Sequence, residues 1–578
     1  MTLFTLRLRA LLLLVLLAGP AWAQQPAWRW ANQAVSNAVG QAAYVTAVAT
    51  DASGNTVVGG AFRGTLTLGS FTLSSASNQP DIFVGRLNAA GQWTQAVRAG
   101  GPDIDAVAGL VVDAAGTVTV VGTFTNYGAS PTTSATFGNN TIAGNGYIAS
   151  YVARLNAAGT WTQALPLSGS WVEVRGVALD ATGGAVLAGD FAQELTLGTT
   201  ALMDAGGARD IFVARLNTAG QWTQAVQGST PSPNGSNYCW VGGMAVDAAN
   251  GVVLTGYFNG TMSFRYQNLP YMVSAGSNDV FVVRLSAAGT WTQAARAGSA
   301  PDERGVALAL DAAGNAVVTG TMGNVSTAPG GTSSFGSTTL TGLGRADVFV
   351  ARLNPAGQWT QAVQAGGVGY EAPSGIAVDG AGNATVVGFF GLDANPTPPP
   401  AGYPISFGST TLAGAGQEDL FVARLGRNGQ WQQALAAGGP LNDYGIAVAL
   451  APNGDVTVGG GYTGSASFTP FFLSNNTSTA VTSAFVARLG GLPAAARAAT
   501  PAEVFTMAPN PATAHVRLSW PEAAATVRPV LVLDNLGREV RRQELPARAT
   551  SASLDVAGLA PGCYLVRCGA AVGRLAVQ

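Results

Sequence analysis

Four carboxylates stand at one recurring place in the chain. Asp105, Glu303, Glu371 and Asp443 each lie eight residues before the residue that ends a short apolar run. Ala43, Val172 and Cys239 hold the same place elsewhere. One residue further on stand Tyr44, Ala106, Glu173, Trp240, Arg304, Ala372 and Tyr444, with Trp171, Tyr238 and Tyr370 close by. Acids beside aromatic rings suit a carbohydrate, because rings offer flat apolar faces and carboxylates accept from hydroxyls. Clustered oxygens also suit Ca²⁺, which takes oxygen ligands. Two carboxylates roughly 5–10 Å apart would suit glycoside hydrolysis, a distance that sequence spacing does not set. The plainer alternative is that each acid accepts backbone N–H bonds within its own turn, as Asp does in tight loops. The candidate ligand residues are therefore Asp105, Glu303, Glu371, Asp443, Tyr44, Trp171, Trp240, Tyr370 and Tyr444, with no catalytic residue assigned and Ca²⁺ as the one cofactor considered.

These residues share offsets because the chain repeats. Arg-Leu recurs at Arg86, Arg154, Arg215, Arg284, Arg352, Arg424 and Arg488, at intervals of 61 to 72 residues. A fixed period of this kind means a repeat architecture. Each period carries four strand signals. The first is a small apolar run ending in Asp, such as Gly305–Asp311. A Gly/Asn turn leads to the second, Ala316–Gly320. The third is the Asp-x-Phe-Val-x-Arg-Leu run, and the fourth is Gln-Trp-Thr-Gln-Ala. Helix signals are absent. Four antiparallel strands repeated seven times predict an all-β fold, a seven-bladed β-propeller over residues 27–491. The first strand, rich in Gly and Ala, is expected innermost. Loops entering it would open at one end of the axis, where a rigid scaffold commonly carries function. The Trp at 93, 161, 222, 291, 359 and 431 is expected to fill the wedge between blades, and the Asp81, Asp210, Asp279, Asp347 and Asp419 series to serve the repeat. The last copy stops at Leu489, before its Trp strand, while Trp28–Ala34 is an orphan copy of that strand. The N-terminal strand is therefore expected to complete the last blade and cover two open edges.

Composition narrows function by exclusion. The net charge is -2 and all 28 basic residues are Arg, with none of the clustered basic surface of a nucleic-acid binder. The lack of Lys excludes a Walker phosphate loop and a Schiff-base lysine. His515 is the only His, so no His triad or His-ligated zinc belongs to the repeats. Residues 1–23 read as a signal peptide: Arg7 and Arg9, an apolar core from Ala10 to Ala18, and Ala21-Trp22-Ala23 as the cleavage motif before Gln24. The apolar run is too short to span about 30 Å of hydrocarbon, and no transmembrane span is expected after cleavage. Cys239, Cys563 and Cys568 are expected to form no disulfide, since the last two sit on opposite faces of one strand.

In register, Asp-x-x-Gly-Asn-x-x-Val-x-Gly followed by Asp-x-Phe-Val-x-Arg-Leu resembles the bacterial secreted β-propeller repeat proteins. Ala149 and Ser483 depart from the Asp of the third strand, and Ala451 from the Asp ending the first. The resemblance implies fold and export but no single activity. After a linker at 492–502, residues 503–578 contain Pro509-Asn-Pro-Ala-Thr513, Val530–Val540 and Leu554–Val566, alternating strands and turns that suggest a small Ig-like β-sandwich. These three motifs resemble the type A sorting domain of the type IX secretion system. That implies the type IX machinery as a partner of residues 503–578, passage across the outer membrane, and a protein released or held at the cell surface. The expected function is a non-catalytic binding or adhesion scaffold whose partner is a glycan or a surface protein. The alternatives are a carbohydrate-active enzyme using the mouth carboxylates and a structural envelope component. The Pro/Gly inserts at 324–331 and 393–402 break the period.

Overall fold

The computed structural model describes residues 26–36, 42–125, 133–144, 147–231, 237–264, 269–323, 331–391, 403–475, 481–490, 506–519, 528–534, 538–546, 549–568 and 571–578. The expected signal peptide with its Ala23–Gln24 junction, the 492–502 linker and most of the two Pro/Gly inserts lie outside them. The chain forms two compact units, Met1–Ala494 and Ala495–Gln578. The described residues contain strands and turns and no helix.

One four-strand pattern recurs through the first unit. Its opening example is Ala43–Thr50, Thr56–Phe62, Asp81–Leu87 and Trp93–Ala99, paired antiparallel in that order. Asp51 organises the first turn: its Oδ1 accepts from the N–H groups of Ser53 and Asn55 at 2.9 Å, and Gly54 takes φ +81°. That is the turn geometry an Asp-x-x-Gly sequence favours.

The first strands pack on one another in sequence. Ala43–Thr50 meets Ile104–Val112, which meets Trp161–Leu179, and the series continues through Tyr238–Val246, Asp302–Leu310, Tyr370–Val378 and Asp443–Leu450 back to Ala43–Thr50. A series of sheets that returns to its start, with these strands innermost, is a β-propeller. Trp161–Leu179 serves two blades: Trp161–Trp171 pairs with Ile148–Leu155, and Ser168–Leu179 with Ala185–Leu197. No loop intervenes, which accounts for the shortest repeat interval, from Arg154 to Arg215.

Ala27–Ser36 pairs antiparallel with Thr482–Gly490, Trp30 opposite Arg488 and Ala34 opposite Ala484. The same strand reaches the first blade, where Trp30 Nε1 donates to Ala89 O at 3.3 Å and Asn32 Nδ2 to Gly91 O at 2.7 Å.

The repeated Trp and Arg join blades. Trp161, Trp291, Trp359 and Trp431 donate Nε1 to the carbonyls of Arg98, Gln227, Arg296 and Gln364 at 3.0–3.2 Å, each on the outer strand of the preceding blade. Arg86, Arg284 and Arg352 reach the next blade's turn, donating to Gly116, Gly314 and Gly382 carbonyls at 2.6–2.8 Å.

The second unit has two sheets, Thr506–Ala508 with His515–Ser519 and Ser551–Asp555, and Glu539–Leu545 with Arg528–Leu533, Gly562–Cys568 and Ala571–Val577. Val516, Leu518, Val530, Val532, Leu554, Val566 and Leu575 form its core.

Candidate functional site

Side chains alternate along each innermost strand, and the alternation separates the candidate residues. Asp105, Glu303, Glu371 and Asp443 are fully buried. Each accepts a bond from the backbone N–H four residues earlier: Gly101 at 2.7 Å, Ser299 at 3.1 Å, Gly367 at 3.2 Å and Gly439 at 2.7 Å. The expectation that they rim an open mouth is corrected here. They point between blades, toward Asp81, Asp279, Asp347 and Asp419 of the preceding blade, which are also buried. A methyl group built on Gly100 would lie 2.8 Å from Asp105 Oδ2 and 2.9 Å from Asp81 Oδ1; on Gly298 it would lie 2.8 Å from Glu303 Oε2 and 2.7 Å from Asp279 Oδ1. Only glycine fits there.

Burial pushes the Asp105 carboxyl up to about 8, with the Asp81 charge adding to it. Burial first, then the facing acid, takes Glu371 to about 8 beside Asp347, Asp443 to about 8 beside Asp419, and Glu303 to about 7 beside Asp279.

The next residue on each strand faces the other way. Glu173 stands opposite Asp190, Trp240 opposite Tyr257, Arg304 opposite Thr321, Ala372 opposite Phe389 and Tyr444 opposite Gly461. Together they form a belt around one end of the axis. The Arg209 guanidinium lies 4.7 Å from the centre of the Trp171 ring and 4.6 Å from that of Trp240, whose face also carries Arg175 at 3.6 Å. Asp190 holds both cations, 3.0 Å from Arg175 Nε and 2.7 Å from Arg209 Nη1, and Glu173 pairs with Arg175. Burial pushes the Asp190 carboxyl up against the pull of these two guanidiniums. Trp240 stacks on Tyr257 with centres 6.1 Å apart, and Arg304 lies 5.2 Å over Tyr257 while pairing with Asp302 at 2.7 Å. Tyr370 stacks on Phe389, Phe389 meets Tyr444 edge-on at 5.1 Å, and the Tyr444 hydroxyl donates to Glu418. Tyr44 packs beside Gly461, where a methyl group would touch its ring at 2.7 Å. A cavity of about 230 Å³, lined by Tyr257, Asp302, Arg304, Thr321 and Tyr370, joins the two halves of the belt.

The structure thus brings Trp171 and Trp240 together, and Tyr370 with Tyr444, while placing the four candidate acids elsewhere. Arg175, Asp190, Arg209, Tyr257, Phe389 and Glu418 are belt members that the sequence reading missed. A signal existed for three of them. Asp190, Tyr257 and Phe389 occupy one aligned place on the second strand, each the residue after its Gly or before its Phe, directly across from the candidate position. Among the described residues, no group of three or more His, Cys, Asp or Glu gathers as a metal site. Two further cavities are lined by turns at the opposite ends of the innermost strands, one by Asp311, Gly382 and Arg427, the other by Arg29, Asp455 and Arg488.

Residues 506–575 match the family described as the secretion system C-terminal sorting domain. This directs the chain across the outer membrane by type IX secretion and implies contact with that machinery. No helix among the described residues is long and apolar enough to cross a membrane. No curated protein matches the chain. Two solved structures of a polysaccharide lyase of family PL25, an ulvan lyase, are similar; one holds -[GlcA(1-4)Rha3S]-. Each is 12% identical, with a TM-score of 0.38 over 75% of this chain and 93% of the other.

Proposed function

We propose that the protein is an exported binding scaffold that holds a glycan chain across the belt at one end of the propeller. The observation that carries this reading is the run of half-buried rings, Trp171, Trp240, Tyr257, Tyr370 and Tyr444, set among polar groups that already have partners. Such rings, together with the guanidinium planes laid over Trp171, Trp240 and Tyr257, make a rigid contact surface at little conformational cost. Arg175 and Arg209 are matched by Asp190 and Glu173, and Arg304 by Asp302. With its charges paired in place, the belt suits a chain of neutral sugars better than a densely charged one.

A binding role is preferred over catalysis because the aligned carboxylates are buried between blades, where a sugar cannot reach them. An adhesive role at the cell surface is the setting we favour. A glycan array tests the reading. Wild type should bind a set of neutral oligosaccharides without releasing sugar. Trp240→Ala should weaken that binding at least tenfold, the scale expected for truncating a central aromatic anchor. Equal binding by both proteins would remove the belt from consideration; release of sugar by wild type would favour an enzyme.

A further inference from the structure

We propose that four seams between blades are closed by carboxyl pairs, each sharing a single proton, which tighten the ring in acid and loosen it in alkali. The pairs are Asp81 with Asp105, Asp279 with Glu303, Asp347 with Glu371 and Asp419 with Asp443, all fully buried or nearly so. Within each pair the backbone satisfies one oxygen on each partner. Asp347 Oδ2 accepts from Leu343 N–H at 2.8 Å and Asp419 Oδ2 from Ala415 N–H at 2.7 Å. The other oxygens, Oδ1 of Asp81, Asp105, Asp279, Asp347, Asp419 and Asp443 and Oε1 of Glu371, take no hydrogen bond from the described protein groups. Two buried carboxylates with bare oxygens repel; one proton between them converts that repulsion into a hydrogen bond.

The blades themselves supply a control. Where the third strand carries Ala149 or Ser483 in place of Asp, the facing residue is Val172 or Ala43. Where it carries Asp210, whose two oxygens already accept from the Ala205 and Thr230 N–H groups, the facing residue is Cys239, and its thiol donates to Arg209 O at 3.4 Å. A carboxyl on the first strand thus stands only where the facing third-strand acid has an Oδ1 with no other donor among the described residues.

The groups facing each pair differ. Arg98 and Arg296 pair with Asp81 and Asp279, so in those seams the third-strand member is the anion and Asp105 or Glu303 the acid. Asp103 also bears on Asp105, and Asp302 and the Ser333 hydroxyl on Glu303. Gln364 and Ala436 stand at the places of those arginines in the other two seams. There Glu371 faces Asp347 and backbone N–H groups, while Asp443 faces Asp419, the Gly439 N–H and Tyr462, its cross-strand partner.

The sign follows from linkage. A carboxyl whose folded pKa is raised contributes stability fully below its unfolded value, and that contribution drains away as pH rises to the folded value. The window therefore runs from about 4 to the folded values near 7 and 8. Glu371→Gln keeps an amide donor in place of the shared proton and removes the titration. Thermal unfolding of the full chain at about pH 5.5 and about pH 9 is the test. The wild-type midpoint should fall between the two, and Glu371→Gln should lie above wild type at the higher pH by about 2 °C. Parallel curves for the two proteins would overturn the proposal. So would a wild-type midpoint at about pH 9 that Ca²⁺ restores and Glu371→Gln does not share, since the pair would then be a cation site. Infrared difference spectra of wild type stand independently of how the variant folds. The carbonyl band of protonated carboxylic acids should persist at about pH 6, where ordinary side chains have lost it, and vanish by about pH 9. Its absence at about pH 6 would also overturn the idea.

Discussion

At the scale of residues, the belt depends on Asp190, a buried anion that fixes two guanidiniums against two indoles. Asp190→Ala leaves Arg175 and Arg209 competing for Glu173. Breaking a buried pair this way should cost about 3 kcal/mol in chemical denaturation and alter tryptophan emission. An unchanged emission spectrum would mean that the cations do not hold the rings. Residue types were legible at this scale: Trp240, Trp171, Tyr370 and Tyr444 were found by alignment of the repeats alone. Their directions were not. Asp105 and Ala106 are adjacent in sequence, yet a strand sends one between blades and the other toward the axis. Reading both as one mouth ignored that period of two. It also hid Arg209, which lies just before the third strand Asp210–Leu216 and reaches the belt where it bridges to Tyr238 of the next blade.

At the scale of elements, the periodic apolar runs and Asp-x-x-Gly turns made the four main strands of most repeats legible, but not the added hairpins such as Thr65–Leu68 with Phe71–Ser74 and Thr332–Phe335 with Thr338–Thr341. The long strand Trp161–Leu179 was not, because its first half reads as one element and its second as another, and only pairing to both sides joins them. Ala27–Ser36 is the element on which the ring's closure rests. It leaves its own sequence neighbourhood to pair with Thr482–Gly490 and to place Trp30 under Arg488, 5.3 Å away. Deleting residues 25–36 exposes two unpaired edges. The truncated protein should lose its cooperative unfolding transition and self-associate in analytical ultracentrifugation. A monomer with the wild-type midpoint would show that the strand is dispensable.

At the scale of the whole molecule, export is assigned to the second unit and the proposed binding surface to the first. The 506–575 match assigns the tail to secretion, and its strands share a core separate from that of the blades. Residues 490–578 fused to a reporter should carry it across the outer membrane of a host with a type IX system; a reporter left in the periplasm would contradict this. What no reading of the tail supplies is a ligand for the propeller, since export says nothing about what is bound outside. The claim that the belt is the binding surface is tested most directly by hydrogen–deuterium exchange of the full chain with and without a neutral oligosaccharide that it binds. Protection is predicted at the starts of Tyr238–Val246, Asp302–Leu310 and Tyr370–Val378 and at the Trp171–Arg175 segment, with the Asp-x-x-Gly turns unchanged. Protection confined to those turns, to hairpins such as Thr65–Leu68 with Phe71–Ser74 or to the tail would contradict it.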